Sequence, residues 1–133
     1  MNNKSTIVFV DDNEIDLFLH EKLAGRTGAF SSVYSFAKPA DALDHLATLP
    51  PSTSWAPIIV LLDIKMPEMD GFSFLSTFEN LPSSIKNRVH IVILSSSLQP
   101  GDTLRAEAHP LVAAYLNKPL TVNALKEISE TLM

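Results

Sequence analysis

Ile58-Ile59-Val60-Leu61-Leu62-Asp63 is the stretch that decides the fold. Its apolar residues are continuous rather than alternating, which predicts a strand buried on both faces, as in a parallel sheet covered by helices on either side. The run ends on a carboxylate and leads into Lys65-Met66-Pro67-Glu68-Met69-Asp70-Gly71, a loop punctuated by proline and glycine. Asp63 is thus fixed at a strand end yet open to solvent, a placement that suits a reactive carboxylate as well as a turn residue.

Two runs of the same kind lie at residues 6–10 and 89–94, and weaker ones at 32–36 and 113–116 suit edge strands. Helical patterns fall between them. Ile15, Phe18, Leu19 and Leu23 share one face of a first helix that Asp12 or Asn13 caps. Leu43 and Leu46 anchor a second helix starting near Pro39. A short third runs from Phe72 to Phe78, and a fourth follows Gln99-Pro100-Gly101-Asp102. Val122, Leu125, Ile128 and Leu132 mark a fifth, capped by Thr121. Strand and helix alternate five times, so the expected class is α/β with a parallel sheet. Leu49 to Pro57, rich in proline, reads as a surface loop with Trp55 as its anchor, and residues 1–133 read as one domain.

Composition narrows the function. Of the 133 residues, 46% are hydrophobic and 19% charged, the balance of a water-soluble globular protein. No cysteine is present, which excludes a disulfide framework and a thiolate metal site. The net charge of −5, without a basic block, gives no support for nucleic-acid binding. No apolar stretch approaches a membrane span or a signal-peptide core, so the expected location is the cytoplasm. His20, His45, His90 and His109 lack metal-site spacing, and Tyr34, Phe36, Met66 and Met69 read as packing residues.

Asp63 gains meaning from Asp11-Asp12, Ser95 and Lys118, each at the end of another apolar run. Ligands of open parallel sheets bind beyond the carboxyl ends of the strands, where the strand order reverses. With the order 2-1-3-4-5, strands 1 and 3 flank that point and three carboxylates converge. So much negative charge calls for a cation, and all-oxygen ligands make Mg²⁺ the expected one. A carboxylate nucleophile, a divalent cation, a lysine and a hydroxyl are what phosphoryl transfer to an aspartate requires. Taken singly, each is ordinary: paired aspartates cap, Lys-Pro starts a helix, and Ser95-Ser96-Ser97 leaves the register open by one residue. Their coincidence at one end of one sheet favours the functional reading.

Val10-Asp11-Asp12, Asp63 to Gly71, Leu94-Ser95 and Lys118-Pro119, in that order from Ile7 to about Leu132, resemble the receiver domain of two-component response regulators. The resemblance implies a flavodoxin-like doubly wound (βα)5 fold. It implies that Asp63 is the phosphoacceptor and that Asp12 ligates Mg²⁺ with Asp63 and the backbone carbonyl of Lys65, while Asp11 acts mainly through water. It implies further that Lys118 contacts the phosphoryl group and that Ser95 and Tyr115 form the switch pair, serine standing where threonine is more frequent. The implied donor is a histidine kinase or histidine phosphotransfer protein. The implied output is a downstream protein bound through the face of helix 4, strand 5 and helix 5. Such a protein catalyses its own phosphorylation and hydrolysis but has no turnover substrate. With Met133 directly after the last helix, a stand-alone response regulator is expected if the sequence is whole, and a receiver whose output domain lies elsewhere if it is excised from a longer protein.

Lys65, two residues after the phosphoacceptor, is expected either to shield it from water or to point to solvent. On the first reading, Lys65→Ala is expected to shorten the lifetime of the phosphorylated form, followed as decay of the adduct; an unchanged or longer lifetime overturns this. Two other classes compete. A receiver-like binding module that is never phosphorylated usually lacks part of the acidic set, which is intact here. A Mg²⁺-dependent aspartyl-phosphate hydrolase carries Asp-x-Asp after strand 1, whereas residues 11–14 here read Asp-Asp-Asn-Glu.

Overall fold

The computed structural model describes residues 5–49, 57–64, 66, 69–95 and 100–132. Strands β1 (Ser5–Val10), β2 (Phe30–Phe36), β3 (Ile58–Leu62), β4 (Val89–Ser95) and β5 (Val112–Asn117) form one sheet in the order β2-β1-β3-β4-β5. Every neighbouring pair is parallel, with Val8 opposite Val60 and Val60 opposite Ile91. Five helices appear as expected: α1 (Glu14–Thr27), α2 (Pro39–Ala47), α3 (Gly71–Phe78), α5 (Pro100–Ala108) and α6 (Val122–Leu132). The sixth, α4 (Ser83–Lys86), is a single turn without an amphipathic period to announce it, and it buries only Ile85. The fourth helix expected from sequence is therefore α5, and the fifth is α6.

The continuous apolar strands feed two cores, because successive side chains leave a strand on opposite faces. Val8, Val60, Leu62, Ile91 and Ile93 pack on one face against α2 and α3, including Leu46, Phe74 and Phe78. Ile7, Phe9, Ile59, Leu61 and Val92 pack on the other against Leu17 and Ala24 of α1 and Leu125 and Ile128 of α6. The outer strands β2 and β5 are only partly buried, as edges should be.

The expected inner face of α1 needs correction. Asn13 is the cap, its Oδ1 accepting from the amides of Ile15 (3.0 Å) and Asp16 (3.1 Å). The buried residues, however, are Leu17, His20 and Ala24, while Ile15, Phe18 and Leu19 are 72%, 57% and 51% exposed. Residues 17, 20 and 24 stand at i, i+3 and i+7 and form the true inner stripe. A histidine inside that stripe and three large apolar residues outside it reversed the hydrophobic signal. Leu23, between the two faces, still packs against the core. Trp55 and its loop, residues 50–56, lie outside the described residues.

Candidate functional site

The carboxyl ends of β1 and β3 are tied together by the sheet itself. The Asp63 amide donates to the Val10 carbonyl (3.0 Å), and the Asp11 amide donates to the Phe36 carbonyl (3.2 Å). Each aspartate thus continues a ladder and inherits its precision. Asp11 and Asp63 are buried at 3% and 7% exposure, so Asp63 is less open to solvent than its place at a strand end suggests, whereas Asp12 is exposed. Asp11 Oδ1 also accepts from the Asn13 amide at 2.9 Å, which links the cluster to the cap of α1.

One carboxylate oxygen from each of Asp11, Asp12 and Asp63 lies within 4.8 Å of the others. Three negative charges at that spacing repel unless positive charge joins them. Oxygen-only donors open to solvent on the Asp12 side suit a hard divalent cation that retains water ligands, which describes Mg²⁺. The residues present therefore fit such an ion. Lys65, whose backbone carbonyl was expected to complete the ligand set, lies outside the described residues, as do Pro67 and Glu68.

Behind the loop, the Gly71 amide donates to the Ile64 carbonyl at 2.9 Å, and Asp70 caps α3 by accepting from the Ser73 amide at 2.8 Å. A Cβ on Gly71 would lie 2.9 Å from the Asp63 carbonyl oxygen and 3.0 Å from the Ile64 Cα. Only glycine lets α3 start this close to the strand that carries Asp63.

Lys118 is delivered by β5. Its amide donates to the Ser95 carbonyl at 3.0 Å, and the Lys118-Pro119 peptide is cis. The expectation was a reach towards Asp63, and Nζ does stand 3.7 Å from Asp63 Oδ2. Its nearer partners are Asp11 Oδ2 at 2.6 Å and Asp16 Oδ2 at 2.9 Å. Burial opposes the charge on Lys118, but hydrogen bonds to Asp11 and Asp16 and the charges of Asp63 and Asp11 outweigh it. The ammonium is held above its ordinary range. Asp16 is the site residue that sequence reasoning missed. An acid in the first turn of a helix reads as a partner of the helix dipole, and no linear spacing relates it to a lysine 102 positions away.

Ser95 is fully buried as the last residue of β4, one position further into the strand than its expected place after it. Ser96 and Ser97 lie outside the described residues. Tyr115, on β5, packs against the core on the α2 and α3 face. Its hydroxyl is buried with no hydrogen-bond partner among the described residues.

His20 borders the site under Phe9, with ring centroids 5.4 Å apart. Burial first, then the charge of Lys118, lower its pKa from the ordinary 6.5, against the opposing pull of Asp11 and Asp16. The unfolded chain therefore binds this proton more readily than the native state. The His20 contribution is complete above pH 6.5 and is lost as pH falls from there to the folded value. Urea melts across that interval are expected to show a stability slope reduced in His20→Gln by up to about 1.4 kcal/mol per pH unit. Identical slopes in the two proteins would exclude His20 as the source.

Comparison with known proteins places this geometry. The family described as "Response regulator receiver domain" matches residues 7–130. The crystal structure of a response regulator receiver protein from Dyadobacter fermentans superposes with a TM-score of 0.85 at 32% identity, over 96% of each chain. A curated relative, the "Probable methanogenesis regulatory protein FilR2" of Methanothrix harundinacea, is 30% identical over 93% of this chain and 78% of its own length. The receiver domain of the sensor histidine kinase PA1611 from Pseudomonas aeruginosa shares the fold, with a TM-score of 0.74 at 22% identity and 96% coverage of both chains. That structure has a magnesium ion coordinated in its active-site cleft.

Proposed function

The chain belongs to the response regulator receiver family, and from that premise we propose that it is a switch of a two-component or phosphorelay system in which Asp63 is the phosphoacceptor. The observation that carries this is the placement of Asp63 at the end of β3, its carboxylate grouped with those of Asp11 and Asp12 and 3.7 Å from the Lys118 ammonium. An Asp63 carboxylate oxygen attacks phosphorus in line. The bond from phosphorus to the donor's imidazole nitrogen breaks, its electron pair stays on nitrogen, and an acyl phosphate forms on Asp63.

Asp12, Asp63 and the Lys65 carbonyl would hold Mg²⁺ directly and Asp11 through water. When bound, the ion neutralises charge on the phosphoryl oxygens. Lys118 offers its ammonium to the same oxygens, and the Ser95 hydroxyl donates to another. Ser95 and Tyr115 act as the switch pair, and the α5, β5 and α6 face changes shape for a downstream protein partner. Two observations support that route. Tyr115 sits on β5 with its hydroxyl buried, and the Arg105 guanidinium of α5 stacks 3.8 Å above the ring of Phe72, next to Gly71.

The exposed Ile15, Phe18 and Leu19 lie on the helix that begins beside Asp12 and form an apolar patch suited to a protein. That supports a histidine kinase or phosphotransfer protein as donor. The switch is no turnover enzyme and works in the cytoplasm without contacting nucleic acid. Among the described residues, no helix is long and apolar enough to cross a membrane.

Intact-protein mass after incubation with acetyl phosphate, with and without Mg²⁺, tests the proposal. One phosphoryl adduct that depends on Mg²⁺ supports it. No adduct from acetyl phosphate or from a phosphorylated histidine phosphotransfer protein favours a binding module that works unphosphorylated.

A further inference from the structure

The Lys118 ammonium has three N–H donors. Two are taken by Asp11 (2.6 Å) and Asp16 (2.9 Å), and Asp63 stands beyond hydrogen-bond reach at 3.7 Å. Asp11 belongs to the acidic cluster, whereas Asp16 comes from α1 and lies outside it. Asn13 links the Asp11 carboxylate to the Asp16 backbone. The Asn13 amide donates to Asp11, and the Asn13 side chain accepts from the Asp16 amide. Lys118 therefore spans a frame built by the β1–α1 junction, with its own backbone fastened to Ser95. The two partners differ in accessibility. The Asp11 side chain is 4% exposed, whereas that of Asp16 is 32% exposed, beside a groove of about 560 Å³ that Leu19, His20 and Pro119 also line.

We infer that Asp16 is a positioning residue for Lys118: it shares the ammonium between α1 and the acidic cluster, and so keeps Lys118 from neutralising the cluster by itself. This rests on the reading of Asp11, Asp12 and Asp63 as a divalent-cation site. An ammonium released from Asp16 settles onto Asp11 and Asp63, and then competes with the cation for the same oxygens. Asp16 thereby strengthens cation binding without ligating the ion. Its solvent-facing carboxylate is also the partner that Lys118 gives up when a phosphoryl group arrives on Asp63.

The test is a double-mutant cycle on Mg²⁺ affinity, measured by calorimetry in the full chain. Asp16→Asn removes the charge with little change of shape, and Lys118→Met keeps the apolar stem of the lysine. Asp16→Asn is expected to weaken Mg²⁺ binding about fivefold in the presence of Lys118 and less than about twofold in Lys118→Met, since coupled neighbours do not add. Asp16→Glu, which restores the carboxylate, recovers at least part of the affinity. Equal factors in the two backgrounds would mean that Asp16 acts through space alone, and the inference falls. It falls equally if Asp16→Asn leaves the affinity unchanged. If the unsubstituted protein binds no Mg²⁺, the cation site itself is wrong, which is a separate failure. Should Lys118→Met not fold, Lys118→Gln completes the cycle, and thermal melts identify which variants are folded.

Discussion

Asp63→Asn is expected to eliminate the phosphoryl adduct while leaving the sheet intact. An amide oxygen is uncharged and far less nucleophilic than a carboxylate, so the attack on phosphorus is lost rather than slowed. The substitution is nearly isosteric, and the backbone of residue 63 keeps its bond to Val10 whatever the side chain. Two opposing changes set its effect on stability. Lys118 loses a partner at 3.7 Å, while the crowding of three carboxylates within 4.8 Å is relieved. The lysine retains its shorter bonds to Asp11 and Asp16, so the relief of repulsion outweighs the lost attraction. The melting temperature should therefore hold steady or rise slightly, and the mass spectrum should show unmodified protein only. An adduct that persists in Asp63→Asn would move the phosphoacceptor to another carboxylate and sink the assignment.

Gly71→Ala tests the geometry that aims Asp63. The added methyl would meet two backbone atoms, at 2.9 and 3.0 Å, and neither can rotate away as a flexible side chain would. Either α3 moves outward or the Asp63 peptide is displaced. Moving α3 loosens Phe72, Phe74, Leu75 and Phe78, four residues packed in the same core. Overpacking of this kind costs about 1–3 kcal/mol, to be read from urea unfolding at neutral pH. Displacement of the carboxylate costs rate as well, because a shift of about 1 Å in a reacting group slows catalysis on the order of 100-fold. The adduct should still form in Gly71→Ala, but slowly, which separates it from Asp63→Asn. Wild-type stability and wild-type rate together would show that α3 yields without disturbing β3.

The parts of this protein that follow from local chemistry were legible in its sequence. Uninterrupted Ile and Val runs mean strands buried on both faces, and β1, β3 and β4 occupy the interior of the sheet. Strand-end carboxylates at Asp11 and Asp63 meet because parallel strands bring all their carboxyl ends to one edge. The cap at Asn13 and the start of α2 at Pro39 follow from single-residue preferences.

Three features depended on packing between distant segments. The inner face of α1 was misread because its helix carries two competing stripes, and hydrophobicity favoured the one left in solvent. The single turn of α4 is too short to show a period, and Ile85 specifies it only through the core it enters. The partners of Lys118 are the clearest case. Sequence placed the ammonium at the right edge of the sheet, but its nearest oxygens were decided by how α1 leaves β1 and how β5 lies against β4. Secondary structure and strand-end positions answer to forces between neighbours in the chain, which a sequence records directly. The distribution of one charge among three carboxylates answers to differences in distance of about 1 Å or less between segments about 50 to 100 residues apart, which only the folded chain sets.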